Sequence, residues 1–209
     1  MLDAQNTSHA VMAQRFEPKN SLDDFPTPPW ATRALLEYIL SGKEIQKNNC
    51  WEPACGRGFM AEPLKEYFKS VYASDIQDYG YGKIEDFTFS KKLKFDWVIT
   101  NPPFKLGEEF ALKGIERAKQ GVALLTRTTF IESVGRFERL FNTYKPYAVA
   151  QFVERVPMVK GRLDRKASTA TGYAWIIWRN DVKVEQTRMA WIPPCRKILE
   201  RNSDYPNSG

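Results

Sequence analysis

The sequence predicts an open α/β sheet, mostly parallel, with an antiparallel pair of strands at its C-terminal end. Three observations predict it. Short apolar runs alternate with helix-length amphipathic segments along most of the chain, the pattern of strands joined by crossover helices. Two of those runs end in compact, turn-forming segments, Glu52-Pro53-Ala54-Cys55-Gly56-Arg57-Gly58 and Asn101-Pro102-Pro103-Phe104. The last two runs are joined by a polar connector with no helical pattern, and neighbouring strands joined that way run antiparallel.

Residues 1–22 are polar, lack apolar periodicity and read as a flexible arm. Helix formation begins at Phe25-Pro26-Thr27-Pro28-Pro29-Trp30, where Thr27 is suited to cap and Pro28 to the first turn. Leu35, Leu36, Ile39 and Leu40 form its apolar face. Strands are expected near 48–52, 70–74, 95–100, 121–126, 147–154 and 172–178, with a weaker one near 84–89. Helices are expected near 58–69, 107–120 and 130–143. The organisation is therefore one domain over 23–180 and an irregular tail over 181–209, which carries Pro193, Pro194 and Pro206.

Composition narrows the function. Of 209 residues, 43% are hydrophobic, enough for a core, yet no apolar run approaches the ~20 residues of a membrane span. With no signal-peptide pattern, the chain reads as a soluble, cytoplasmic protein. Three cysteines without paired spacing argue against a disulfide framework. The single histidine, His9, leaves no Cys/His cluster for a metal and no plausible Ser-His-Asp triad. The net charge of +6 suits a polyanionic partner.

The segment 52–58 follows the first strand and enters a helix. Gly56 and Gly58 supply backbone freedom and room for a ligand, and the amides of the helix start favour a carboxylate or phosphate. Asp75 ends the next strand, where an acidic side chain binds ribose hydroxyls. This arrangement also serves a nicotinamide dinucleotide, so the loop by itself does not fix the cofactor.

The strand Phe95–Thr100 runs into Asn101-Pro102-Pro103-Phe104. An exocyclic ring amine is a poor nucleophile because its lone pair is delocalised. Acceptors that hold its N–H groups shift the nitrogen towards sp³ and aim the lone pair. Asn101 Oδ1 and the Pro102 carbonyl, stiffened by Pro103, are such acceptors, and Phe104 offers a flat face for an extruded base.

Together these segments resemble the class I, Rossmann-like amino methyltransferases. Asn101–Phe104 resembles their active-site motif and Glu52–Gly58 their cofactor motif. Phe25-Pro26-Thr27-Pro28 looks like the segment that precedes it in phage-type N6-adenine DNA methyltransferases. Order and spacing match over roughly residues 23–178. The resemblance implies S-adenosylmethionine as cofactor and adenine N6 in DNA as the methyl acceptor. It places Thr27, Pro28, Pro53, Ala54 and Asn101 along the cofactor. It further implies that Glu52 meets the methionine ammonium, and that Asp86 and Phe87 hold the adenine.

Substrate contacts are expected from the connector 155–171, where Lys160, Arg162, Arg165 and Lys166 against Asp164 leave a local charge of +3. Arg127, with Glu132 and Arg136, follows the fifth strand and is a further candidate. Only about 30 residues follow the last expected strand, too few for a separate target-recognition domain. Sequence specificity is then relaxed, or falls to the connector, a homodimer partner or a separate specificity protein. Three rival readings stand beside adenine N6 in DNA: RNA guanine N2 methylation, protein glutamine methylation, and a non-catalytic nucleic-acid-binding subunit that holds the cofactor. Basic charge favours nucleic acid, DNA ahead of RNA.

Overall fold

The computed structural model describes residues 23–91 and 95–205; the expected arm at 1–22 lies outside them. Helix α1 (Pro29–Tyr38) opens with Pro29 at its first position and buries Trp30, Ala31, Ala34, Leu35 and Leu36. It packs on a sheet built from β1 (Asn49–Glu52), β2 (Ser70–Asp75), β3 (Lys83–Ile84), β4 (Phe95–Thr100), β5 (Ala118–Arg127), β6 (Ala148–Phe152), β7 (Tyr173–Arg179) and β8 (Arg188–Ile192). Spatial order is β3-β2-β1-β4-β5-β7-β6-β8. Strands β3, β2, β1, β4 and β5 are parallel to one another, and β7 is antiparallel to both β5 and β6. This is the Rossmann-like sheet with an antiparallel pair that the sequence predicts.

The central strands are apolar on both faces because both are covered. On β4, Trp97 and Ile99 enter one core and Val98 the other. On β7, Trp175 and Ile177 face α1 while Ile176 and Trp178 face the opposite layer. That layer is α3 (Gly107–Arg117), which buries Phe110, Ala111 and Gly114 and carries Glu108 and Glu109 in its first turn and Arg117 in its last. Acid at the start and base at the end complement the helix dipole.

Several elements differ from expectation. The helix expected over 58–69 contracts to α2 (Ala61–Lys65), since Gly58 stands at φ +87° before it. Helix α3 stops at Arg117 because Ala118 turns extended and pairs with Phe95. The segment 130–143 is a broken series: a 3₁₀ turn Thr128–Ile131, α4 (Val134–Arg136) capped by the Ser133 side chain, and a π-helical turn Phe137–Phe141. The weak strand near 84–89 reduces to Lys83–Ile84, after which Asp86 turns the chain by accepting from Thr88 N at 2.8 Å. Thr27 makes no side-chain cap; Pro28 holds the cap position and the Thr27 hydroxyl is used elsewhere.

Residues 181–205 are not irregular. Strand β8 pairs in parallel with β6 from Ala148↔Arg188 to Phe152↔Ile192, so the antiparallel pair does not end the sheet. Helix α5 (Arg196–Leu199) and the turn Asn202–Asp204 then return to α1. There Arg33, 3% exposed, donates to Glu66 and Asp204, each at 2.8 Å, and to Leu199 O at 2.8 Å. Arg201 reaches the same Glu66 at 2.8 Å.

Candidate active site

The strand order turns back at β1, with β2 on one side and β4 on the other, and open α/β sheets bind ligands beyond such a switch point. The C-terminal ends of β1, β2 and β4 surround a cavity of about 820 Å³. Its walls include Pro53, Ala54 and Gly56 after β1, Asp75 and Ile76 after β2, Asp86 and Phe87 further on, and Asn101 and Pro103 after β4.

The loop after β1 is shaped by its glycines. Gly56 stands at φ +48° and Gly58 at φ +87°, and a Cβ on Gly58 would lie 2.6 Å from the Tyr81 ring. Asp75 locks this loop to β2: its Oδ2 accepts from Gly56 N at 2.9 Å and its Oδ1 from Gln77 N at 3.0 Å. Burial raises the Asp75 carboxyl above the usual range, and those amide bonds hold it down in part. Each oxygen retains a further acceptor direction for a ligand hydroxyl.

Glu52 lies beneath the loop and does not line the cavity. It is fully buried, and its Oε1 accepts from Thr100 Oγ1 at 2.5 Å and from Ala54 N at 3.2 Å. Its Oε2 is buried and has no partner. Burial, opposed by those two bonds and aided by the nearby Asp75, pushes its carboxyl up to about 8. Gly58 and Pro28 are likewise set back from the cavity, whereas Thr27 lines it.

Asp86 faces the cavity while accepting from Thr88 N and Thr88 Oγ1 at 2.8 and 2.7 Å. Phe87 is held edge-on by Trp51 and tilted against Phe110, both with ring centroids 4.9 Å away.

Asn101 is the most informative residue. Its Nδ2 donates to Phe25 O and Thr27 Oγ1, both at 3.1 Å, and lies 3.7 Å from Met158 Sδ. These partners fix which end of the amide is oxygen, because the network determines the assignment. Oδ1 is then left buried with no hydrogen-bond partner. An unpaired buried acceptor costs free energy unless a ligand donor completes it.

The next residues depart from expectation. Pro102 is buried and Pro103 lines the cavity. The Phe104 ring is occupied: the Arg127 guanidinium sits 3.9 Å from its centroid and the Phe25 ring 5.1 Å away. Its backbone is tied too, since Phe104 N donates to Asp23 Oδ2 at 3.0 Å. The flat face expected for a base is taken by an arginine.

The connector 155–171 packs against residues of the cavity wall without lining the cavity itself. Met158 touches Asn101, and Gly161 N donates to Asp24 O at 2.8 Å while Gly161 O accepts from Arg57 at 3.1 Å. Its charges are partly spent internally. Arg162 pairs with Asp164 at 3.1 Å, and Arg165 bonds Asn202 at 2.9 Å and lies 3.4 Å from Glu200. Lys166 is exposed and Lys160 is half-buried. Sequence reasoning missed Phe25, Asp23 and Met158 as supports of the site. Their only signal was proximity to the Pro-rich segment or the connector.

No protein-family model matches the chain, and no curated protein sequence does. Solved structures resemble it in fold. A protein from Pyrococcus horikoshii, provisionally described as an RNA methyltransferase, matches at 20% identity with a TM-score of 0.59, over 78% of this chain and 90% of that one. The modification subunit of a provisionally described type I restriction enzyme from Vibrio vulnificus matches at 13% identity and TM-score 0.59, over 88% of this chain. A methyltransferase subunit of a type I restriction-modification system from Streptococcus thermophilus matches at 11% identity and TM-score 0.58, over 87% of this chain. The chain spans half the length of the two restriction-system subunits.

Proposed function

We propose that this chain is an S-adenosylmethionine-dependent methyltransferase acting on an exocyclic amino nitrogen, adenine N6 in DNA being the favoured acceptor. The observation that carries the reading is Asn101 Oδ1, a buried acceptor at the end of β4 left without a partner while its own amide nitrogen is engaged. The fold and the structural neighbours, which are described as methyltransferases of RNA or subunits of DNA restriction systems, support the reaction class.

The residues fit the cofactor. Asp75 directs carboxylate oxygens at a ribose diol, and Asp86 with Phe87 offers an acceptor and a ring edge for an adenine. Glu52, sealed beneath the loop with Oε2 unpaired, does not line the cavity and would act on a methionine ammonium only from behind the Pro53–Ala54 segment. Bound there, S-adenosylmethionine supplies an electrophilic methyl group.

The protein's own part is positioning. Asn101 Oδ1 accepts one N–H of the target amine and directs the nitrogen lone pair towards the cofactor cavity. No basic side chain is needed to take the amine proton before transfer. The methylated nitrogen is strongly acidic and releases its proton to water afterwards. Phe25 and Thr27 serve by engaging the Asn101 amide nitrogen, which leaves Oδ1 for the ligand.

Nucleoside mass spectrometry after incubation with labelled cofactor and mixed DNA and RNA tests the reading. Label in N6-methyladenine from DNA is the expected result. Label in RNA nucleosides would keep the chemistry and change the substrate. Absence of label in any nucleic acid or protein overturns the assignment.

A further inference from the structure

A second cavity, of about 190 Å³, adjoins the first along the Asn101–Gly107 segment. Asn101, Pro103, Lys105 and Leu106 face the cofactor cavity, and Pro102, Phe104 and Gly107 face the smaller one. The end of β5 closes it, with Thr126, Arg127, Thr129 and Arg136 in its wall.

Amid apolar walls, its polar side chains are two arginines and two threonines. The Arg127 guanidinium lies 3.9 Å over the Phe104 ring, and the Arg136 guanidinium 4.1 Å over the Phe130 ring. Stacking occupies the face of a guanidinium and leaves its N–H edge for acceptors; Arg127 gives part of that edge to the Tyr173 hydroxyl, a neutral partner that leaves its charge uncompensated. Arg136 spends one nitrogen on Phe130 O, yet its buried Nε has no partner. Thr126, only 5% exposed, also has a buried hydroxyl without a partner. No carboxylate lines the cavity. Glu108, the acid that acts on Arg136, is already bonded to Arg139 at 2.6 Å. Neither Arg127 nor Arg136 has an ion-pair partner among the described residues.

Two ring-mounted guanidiniums and an orphan hydroxyl, gathered without a counter-charge, match a tetrahedral oxyanion better than a base edge. We propose that this cavity binds a phosphate group of the substrate strand, next to the nucleotide whose amine meets Asn101. The proposal rests on the nucleic-acid reading above. It assigns Phe104 a new role, as the platform that orients Arg127 rather than as the surface on which the base stacks.

Fluorescence anisotropy of a short DNA duplex with S-adenosylhomocysteine present tests this. Each phosphate flanking the target adenine is replaced, one at a time, by an uncharged methylphosphonate. One position is expected to weaken wild-type binding by about tenfold or more, the scale of a lost charged hydrogen bond. Arg127→Gln and Arg136→Gln should weaken binding to the unmodified duplex similarly and abolish sensitivity at that position. The plot of log affinity against log salt should flatten by about 0.7–0.9. Arg127→Lys keeps a charge without the fork and should fall between. If a glutamine variant does not fold, the wild-type scan and Arg127→Lys decide alone. A flat scan, or variants that keep wild-type sensitivity, overturns the phosphate site. If the protein binds no nucleic acid, the broader reading fails, and a melt in inorganic phosphate against chloride of equal ionic strength judges the cavity. Stabilisation by phosphate that Arg136→Gln loses supports an anion site for free phosphate; equal melts reject it.

Discussion

Two regions of the molecule treat buried polarity in opposite ways. Where the C-terminal segment meets α1, Arg33, Glu66, Asp204 and Arg201 form a closed set in which every charge has a partner at 2.8 Å. Where β1 and β4 meet the cavity, Glu52 Oε2 and Asn101 Oδ1 are buried with none. A buried ion pair is strongly destabilising to break, because the surviving charge is stranded. An unpaired acceptor is already a cost in the free protein and is relieved when a ligand donor arrives. The clamp therefore serves folding and the cavity serves binding, and substitutions should separate the two.

The largest effect is expected at the clamp. Arg33→Ala leaves Asp204 buried without its guanidinium and should cost about 3–5 kcal/mol of stability. A urea melt measures it, and cofactor affinity below the transition should be unchanged. A small loss of stability would mean that the clamp is ornamental and that apolar packing alone holds β8 and α5.

Asp75→Ala should act the other way round. It should weaken S-adenosylhomocysteine binding by about 1.5–3 kcal/mol, the range for hydrogen bonds to a charged group, and lower the melt less than Arg33→Ala does, through the Gly56 and Gln77 amides that lose their acceptor. Asp75→Asn, which keeps one acceptor for the Gly56 or Gln77 amide, should lose less. Equal affinity in Asp75→Ala, measured by calorimetry, would remove this residue from the site.

Glu52 links the cavity to pH. Its carboxyl lies near 8 in the folded chain and about 4.3 in an unfolded one, so the folded state holds its proton more tightly. The stability this gives is complete below the unfolded value and is lost as pH rises towards 8. Glu52→Gln should remove that decline, measured as melting temperature against pH from 5 to 8. A wild-type melt no steeper than that of the variant would contradict the assignment.

The smallest effect is expected at Phe104. As the platform for Arg127, its replacement by alanine should weaken DNA binding by about 0.5–1 kcal/mol, the scale of an exposed cation–π contact. Phe104→Trp should restore it. A loss of about 1–3 kcal/mol that Arg127→Gln does not share would instead return the ring to stacking on the base.

The same contrast explains what was legible in the sequence. Strands β1, β4, β5 and β7 were visible because both faces are covered and their apolar runs are continuous. The loop at 53–58 and Asn101 were visible because their chemistry is local, set by glycines at positive φ and by a stiff proline pair. Strand β8 was hidden: it is an edge strand with Met189 and Trp191 exposed, and prolines follow it closely. The clamp was hidden because Arg33 meets partners 33 and 171 residues away, which no local pattern announces. The Arg127–Phe104 stack joins two segments that each looked like substrate contacts, and only their packing shows that they engage each other.

The central claim, that Asn101 Oδ1 is kept open for the reacting amine, is tested most directly by single-turnover methyl transfer with Asn101→Ala, alongside a cofactor titration and a thermal melt. Losing one preorganised polar contact of this kind slows reaction by about 10²–10³. The expected result is that loss of rate with cofactor affinity retained and a melt no lower than wild type beyond the loss of the Phe25 and Thr27 contacts. Full activity in a folded Asn101→Ala would contradict the account.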